Sequence, residues 1–166
     1  LFFTAEAEIR YFSGFRTLFW QSPTRPWFLI VPQSGKPIAI IPEIGAALMA
    51  GTWVDDVRTW RSPHATDDGI SLLIQALQGK HKIGMMMGRE SSLRMPLTDY
   101  QRLRVGLEDS QFSDTSGLVR TLRMVKSPAE IQKIRTICDI AGNSFGNAAQ
   151  LFHQGQTLLE AFRAFK

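Results

Sequence analysis

Residues 27–42, "WFLIVPQSGKPIAIIP", constrain the fold more than any other stretch. Two apolar runs, "WFLIVP" and "PIAIIP", flank "QSGK", a four-residue turn containing Gly35, which is the pattern of a β-hairpin. An antiparallel pair this early in the chain makes any larger sheet built around it mixed.

The rest of the chain alternates strand and helix. "LFF" is short and continuous enough for a buried strand, and Thr4 can cap a helix through "AEAEIRYFSG" that Gly14 stops. "EIGAALMAG" reads as a short helix and "VDDVRTW" as a strand. "DDGISLLIQALQG" reads as an amphipathic helix whose acidic start suits its dipole and whose end is Gly79. "HKIGMMM" follows as a strand, "LTDYQRLRVGLE" as a helix capped by Thr98, and "QFSDTS" as a short extended piece. Met85, Met86 and Met87 are read as buried gap-fillers. This order predicts an α/β layer architecture, a mixed β-sheet flanked by helices.

Composition sets outer bounds. With 166 residues, 44% of them hydrophobic, the chain can build one core with an appended piece. Its 15 acidic residues are interspersed among 19 basic ones, so the net charge of +4 argues only weakly for a nucleic-acid partner. One cysteine, Cys138, excludes an internal disulfide framework. No apolar run approaches the roughly 18 residues of a membrane span, and no signal-peptide pattern opens the chain. The chain reads as soluble and cytoplasmic. It begins on the apolar "LFFT" and stops at Lys166 inside the helical pattern "TLLEAFRAFK", as a piece of a longer protein would.

The sharpest local signal is "LRMVKSPAEIQKIR". Ser127 precedes a proline at the first helical position and lies three residues before Glu130, so the two can exchange hydrogen bonds in a capping box. Ile131, Ile134, Cys138, Ala141 and Phe145 then recur at steps of three and four, a stripe suited to burial.

Together with "YFSGF" about a hundred residues upstream, this segment resembles the creatinase/prolidase/Xaa-Pro aminopeptidase family of pita-bread metalloenzymes. Tyr11, Phe12, Ser13, Gly14 and Phe15 match the family's Tyr-Leu-Thr-Gly-Phe-like motif, with Phe and Ser as conservative departures. Arg123, Lys126, Ser127, Glu130 and Ile131 match its Arg-x-x-Lys-Ser-x-x-Glu-Ile segment, which opens the catalytic domain. The resemblance implies a creatinase/prolidase-type N-terminal domain with ribonuclease H-like layering over 1–122. Residues 123–166 would then be a linker and the first helices of a truncated catalytic domain.

It also implies a homodimer. The parent would be a hydrolase, by default a Xaa-Pro metallopeptidase using two divalent metal ions (manganese, cobalt or zinc) on a small peptide. One alternative parent acts on a small charged metabolite, as creatinase and the dimethylsulfoniopropionate lyases do. Another is a scaffold or nucleic-acid-binding module with no enzyme activity, for which the basic residues Arg120, Arg123, Lys126, Lys133 and Arg135 are the candidate contact.

The family's metal ligands lie on the pita-bread sheet, beyond the segment matched here, so no catalytic or metal residue is expected in this chain. His64, His81 and His153 are scattered, and Asp55–Asp56 and Asp67–Asp68 are adjacent pairs suited to solvated surface. "GMMMGRESS" has three residues between its glycines instead of four, and no Lys-Ser/Thr, so it is not a phosphate loop.

One connection remains, "GFRTLFWQSPTRPWF". The resemblance places Phe19, Trp20 and Arg25 in the segment that supplies an aromatic and an arginine to substrate in the partner subunit's pocket. Chemically, an aromatic face attracts a cation and Arg25 can grip a carboxylate with two parallel hydrogen bonds. The alternatives are packing against the domain's own core or a dimer contact that does not touch substrate, and of Trp27 and Phe28 at least one is core.

Overall fold

Strands β2 (Phe28–Ile30) and β3 (Ile38–Pro42) pair antiparallel, with Phe28 opposite Ile40 and Ile30 opposite Ile38. This is the hairpin read from the sequence, and Gly35 in its turn has φ near +90°, a conformation that glycine adopts without steric cost. The structure, a computed structural model, describes residues 1–22 and 25–165; Pro23 and Thr24 of the aromatic connection, and Lys166, lie outside the described residues.

Around the hairpin the chain builds a mixed six-stranded sheet. β1 (Phe2–Phe3) lies antiparallel to β2 and parallel to β5 (Lys82–Met85). β4 (Asp56–Trp60) runs parallel to β3, and β6 (Gln111–Asp114) parallel to β5. The order across the sheet is β4-β3-β2-β1-β5-β6.

Successive side chains of a strand point to opposite faces, and both faces here are apolar. Phe2, Phe28, Ile30, Ile40, Ile83 and Met85 join one core with Leu73 of α3 (Ile70–Leu77) and Leu103 of α4 (Leu97–Gly106). Phe3, Leu29, Ala39 and Ile41 join the other with Ile9 of α1 (Glu6–Ser13), Met49 of α2 (Ala46–Met49) and Val119 of α5 (Ser116–Met124). Burial on both faces is why the central strands read as unbroken apolar runs.

Three local expectations are corrected. The N-cap of α1 is Ala5, without a side-chain bond, because the buried Thr4 hydroxyl instead accepts the Arg94 backbone N–H at 2.9 Å. The N-cap of α4 is Pro96, whose extended backbone occupies the position expected for Thr98, and Thr98 sits inside the first turn. Met85 is buried and Met86 partly buried, but Met87 is exposed because β5 has already ended. The acidic start of α3 does cap it, since Asp67 Oδ1 accepts the N–H groups of Ile70 and Ser71 at 2.7 and 3.2 Å.

The chain divides into two compact units, Leu1–Arg120 and Thr121–Lys166. The second holds α6 (Pro128–Gly146), α7 (Ala148–Leu151) and α8 (Leu158–Phe165). The Ser127–Glu130 capping box forms in both directions, Ser127 N–H to Glu130 Oε2 at 2.8 Å and Glu130 N–H to Ser127 Oγ at 3.3 Å. Thr157 and Glu160 form a second box before α8, a T-x-x-E signal that sequence reading passed over. The stripe of α6 is present but no residue of that helix is buried, because three helices are too little chain to enclose it. Among the described residues no helix is long and apolar enough to cross a membrane.

Candidate functional site

The connection from α1 to β2 starts with a sharp stop. Ser13 Oγ donates to the Ile9 carbonyl at 2.6 Å and accepts the Phe15 N–H at 3.0 Å, while Gly14, at φ +77°, donates its N–H to the Arg10 carbonyl at 2.9 Å. A left-handed residue closing a helix through such a bond is best supplied by glycine. Phe12 stacks on Phe3 at 4.8 Å between centroids, and Phe15 is wholly buried. The "YFSGF" motif is therefore a helix terminus with aromatic anchors on both sides.

Beyond it the connection folds inward, then out. Phe15, Trp20 and Trp27 form a triangle of rings with centroids 5.2 to 5.9 Å apart, the range favoured by aromatic contacts. Trp20 is only 4% exposed, so its faces are taken by its own domain. Both indole N–H groups, of Trp20 and Trp27, are buried without a hydrogen-bond partner.

Phe19 begins the short 3₁₀ turn Phe19–Gln21 and is 37% exposed, next to Leu18 at 96%. The Arg25 guanidinium lies over the Phe19 ring, 5.6 Å from its centroid, within cation–π range. Its Nη1 reaches Ser22 Oγ at 3.5 Å, and its Nε is buried with no partner. Ser22 is gripped from the other side by Arg94, whose Nη2 donates to the Ser22 carbonyl at 3.1 Å. Neither Arg25 nor Arg94 forms an ion pair with an acidic group among the described residues.

Of the three residues expected at the site, the structure thus brings Phe19 and Arg25 together at the surface and sends Trp20 into the core. The pair has the chemistry of an anion grip. The ring that would attract an outside cation already carries Arg25, and the guanidinium keeps donors for a carboxylate. Sequence reasoning missed Arg94, which lies in the segment between β5 and α4 with no local signal.

A second polar cluster ties the end of β5 to the start of α5. Asp114 Oδ1 accepts Ser116 Oγ at 2.6 Å, Ser116 N–H at 2.9 Å and Met87 N–H at 3.0 Å, and Ser116 Oγ accepts Gly88 N–H at 2.9 Å. These bonds, the Ser116 hydroxyl first, lower the Asp114 carboxyl to a pKa of about 2. They meet the backbone of "GMMMGRESS" from within, consistent with a structural rather than phosphate-binding loop.

Other candidates resolve into local roles. Asp56 pairs with Arg58 at 2.9 Å, and His64 Nδ1 accepts the Asp67 N–H at 3.0 Å. In the basic segment, Arg120 Nη2 donates to the Arg89 carbonyl at 3.1 Å and lies 3.7 Å from Glu90. Among the described residues no group of three or more His, Cys, Asp or Glu side chains is placed to hold a metal ion.

Residues 1–125 match the family described as the Creatinase/Prolidase N-terminal domain. The chain belongs to that family. Solved structures agree at the level of fold. An X-Pro aminopeptidase from Thermotoga maritima is 21% identical with a TM-score of 0.73, covering 97% of this chain and 42% of its own. A prolidase from Pyrococcus horikoshii is 19% identical with a TM-score of 0.70, covering 99% of this chain and 42% of its own. The creatinase/prolidase N-terminal domain of an X-Pro dipeptidase from Streptococcus pyogenes is 16% identical with a TM-score of 0.55, covering 72% of this chain and 84% of its own. No curated protein matches the chain significantly. This creatinase/prolidase-type chain spans 42% of the length of the aminopeptidase and prolidase it resembles.

Proposed function

We propose that this chain is the non-catalytic N-terminal part of a pita-bread hydrolase of Xaa-Pro peptidase type, serving dimerisation and substrate access. In this reading residues 1–122 form the N-terminal domain, and 123–166 are the linker and first helices of a catalytic domain that supplies the metal centre. The family match over residues 1–125, alongside solved Xaa-Pro peptidases of the same fold, is the observation that carries it. Metal ions held by that catalytic domain would supply the Lewis-acid chemistry of peptide hydrolysis, and no described residue of this chain would ligate them. The Phe19–Arg25 pair would reach the partner subunit's pocket and hold the substrate's free carboxylate.

The loop also bears on the reading in which the parent takes a small charged metabolite. Recognition of an onium group is best served by several open aromatic faces, whereas Trp20 is buried and one face of Phe19 already carries Arg25. What the loop offers is a guanidinium, which suits the C-terminal carboxylate of a Xaa-Pro dipeptide. The test is a substrate comparison on the complete enzyme: a Xaa-Pro dipeptide against its C-terminal amide and against a quaternary ammonium acid. Turnover of the dipeptide with a much weaker response to the amide is expected. Turnover of the ammonium acid alone would move the parent to the metabolite reading.

A further inference from the structure

We propose that Arg94 is a positioning residue for the Phe19–Arg25 pair, holding the loop in the geometry in which Arg25 can meet a carboxylate. The inference rests on the substrate role proposed for that pair, and it assigns a function to a residue outside the loop.

Arg94 is bound at two points. Its backbone N–H donates to Thr4 Oγ1 at 2.9 Å, and Thr4 is buried directly after β1, a strand hydrogen-bonded on both sides within the sheet. Its side chain donates from Nη2 to the Ser22 carbonyl at 3.1 Å. Ser22 follows the 3₁₀ turn and closes it, its N–H donating to the Phe19 carbonyl at 3.0 Å. The Ser22 hydroxyl lies 3.5 Å from Arg25 Nη1. Arg94 therefore ties a fixed point of the sheet to the residue that touches both members of the pair.

The choice of arginine also fits. A charged donor to a carbonyl makes a stronger bond than a neutral one, and a planar guanidinium loses little freedom in making it. No acidic group among the described residues draws Arg94 away. Removing the bond takes away the charged donor that links the Ser22 carbonyl to the Thr4 side of the sheet. Without that tie the connection can shift, carrying Arg25 with it.

The test uses the complete enzyme and four variants: Arg94→Met, which keeps the apolar stem, Arg94→Lys, Arg25→Ala, and Arg94→Met with Arg25→Ala. Arg94→Met should raise KM for a carboxylate-bearing substrate by about tenfold with kcat unchanged, the size expected for one charge-assisted hydrogen bond. Arg94→Lys should restore most of the loss, and it covers the case in which Arg94→Met does not fold. In the Arg25→Ala background Arg94→Met should add nothing, because Arg94 acts through Arg25. Hydrogen exchange should quicken over residues 16–22 while α3 is unchanged.

If Arg25→Ala raises KM and Arg94→Met does not, the positioning role is overturned and the substrate role stands. Additive effects would also overturn it, making Arg94 an independent contact. If Arg25→Ala leaves KM unchanged, the substrate role fails; exchange over residues 16–22 then decides alone, with no quickening in Arg94→Met overturning the positioning of the loop.

Discussion

At Gly45 an added Cβ would lie 2.3 Å from Cζ3 and 2.6 Å from Cη2 of Trp27, a wholly buried ring that Phe15 and Trp20 hold in place. The backbone there is ordinary, so the constraint is contact and not conformation. Gly45→Ala should destabilise the protein by about 1–3 kcal/mol, the usual cost of overpacking, measured by chemical denaturation. The same aromatic triangle separates two neighbours in the connection. Trp20→Ala should cost about 3–5 kcal/mol as a buried large-to-small change, whereas Phe19→Ala should stay within about 0.5 kcal/mol. Equal effects would mean that Trp20 does not anchor the connection. Sequence revealed that this connection was unusually aromatic but not which ring turned inward. A three-residue 3₁₀ turn has no repeating period from which to read a buried face.

Among the elements, the tie between the end of β5 and the start of α5 makes a pH prediction. Asp114 has a folded pKa of about 2, held down chiefly by the Ser116 hydroxyl, against about 3.9 for an unfolded aspartate. Its contribution is therefore present above about pH 4 and drains away as pH falls toward 2. Stability followed by urea melts across that window should fall less steeply in Asp114→Asn than in the parent chain. The elements themselves show what was legible. The hairpin and the Ser127–Glu130 box were readable because each is fixed within a few neighbouring residues. Thr4 was misread as a cap because its hydroxyl is claimed by Arg94, far away in sequence, and Thr98 because Pro96 takes the N-cap. The α6 stripe is present as a pattern, but the burial expected of it is not seen, since no residue of the helix is buried.

For the whole molecule, the layered α/β unit does two things for the loop. Its second core buries Phe15, Trp20 and Trp27, which anchors the connection at both ends, and Thr4, directly after the interior strand β1, seats Arg94. Between those anchors only Phe19 and Arg25 of the three expected residues remain for outside chemistry. The role we propose for Arg25 is to grip a substrate carboxylate in a Xaa-Pro-type enzyme. The direct measurement is steady-state kinetics of Arg25→Ala in the complete enzyme, on a Xaa-Pro dipeptide and on its C-terminal amide. KM for the dipeptide should rise by an amount equivalent to about 2–3 kcal/mol, with kcat unchanged and KM for the amide unmoved. An unchanged KM for the dipeptide would contradict the claim and leave Arg25 as the cation stacked on Phe19 and nothing more.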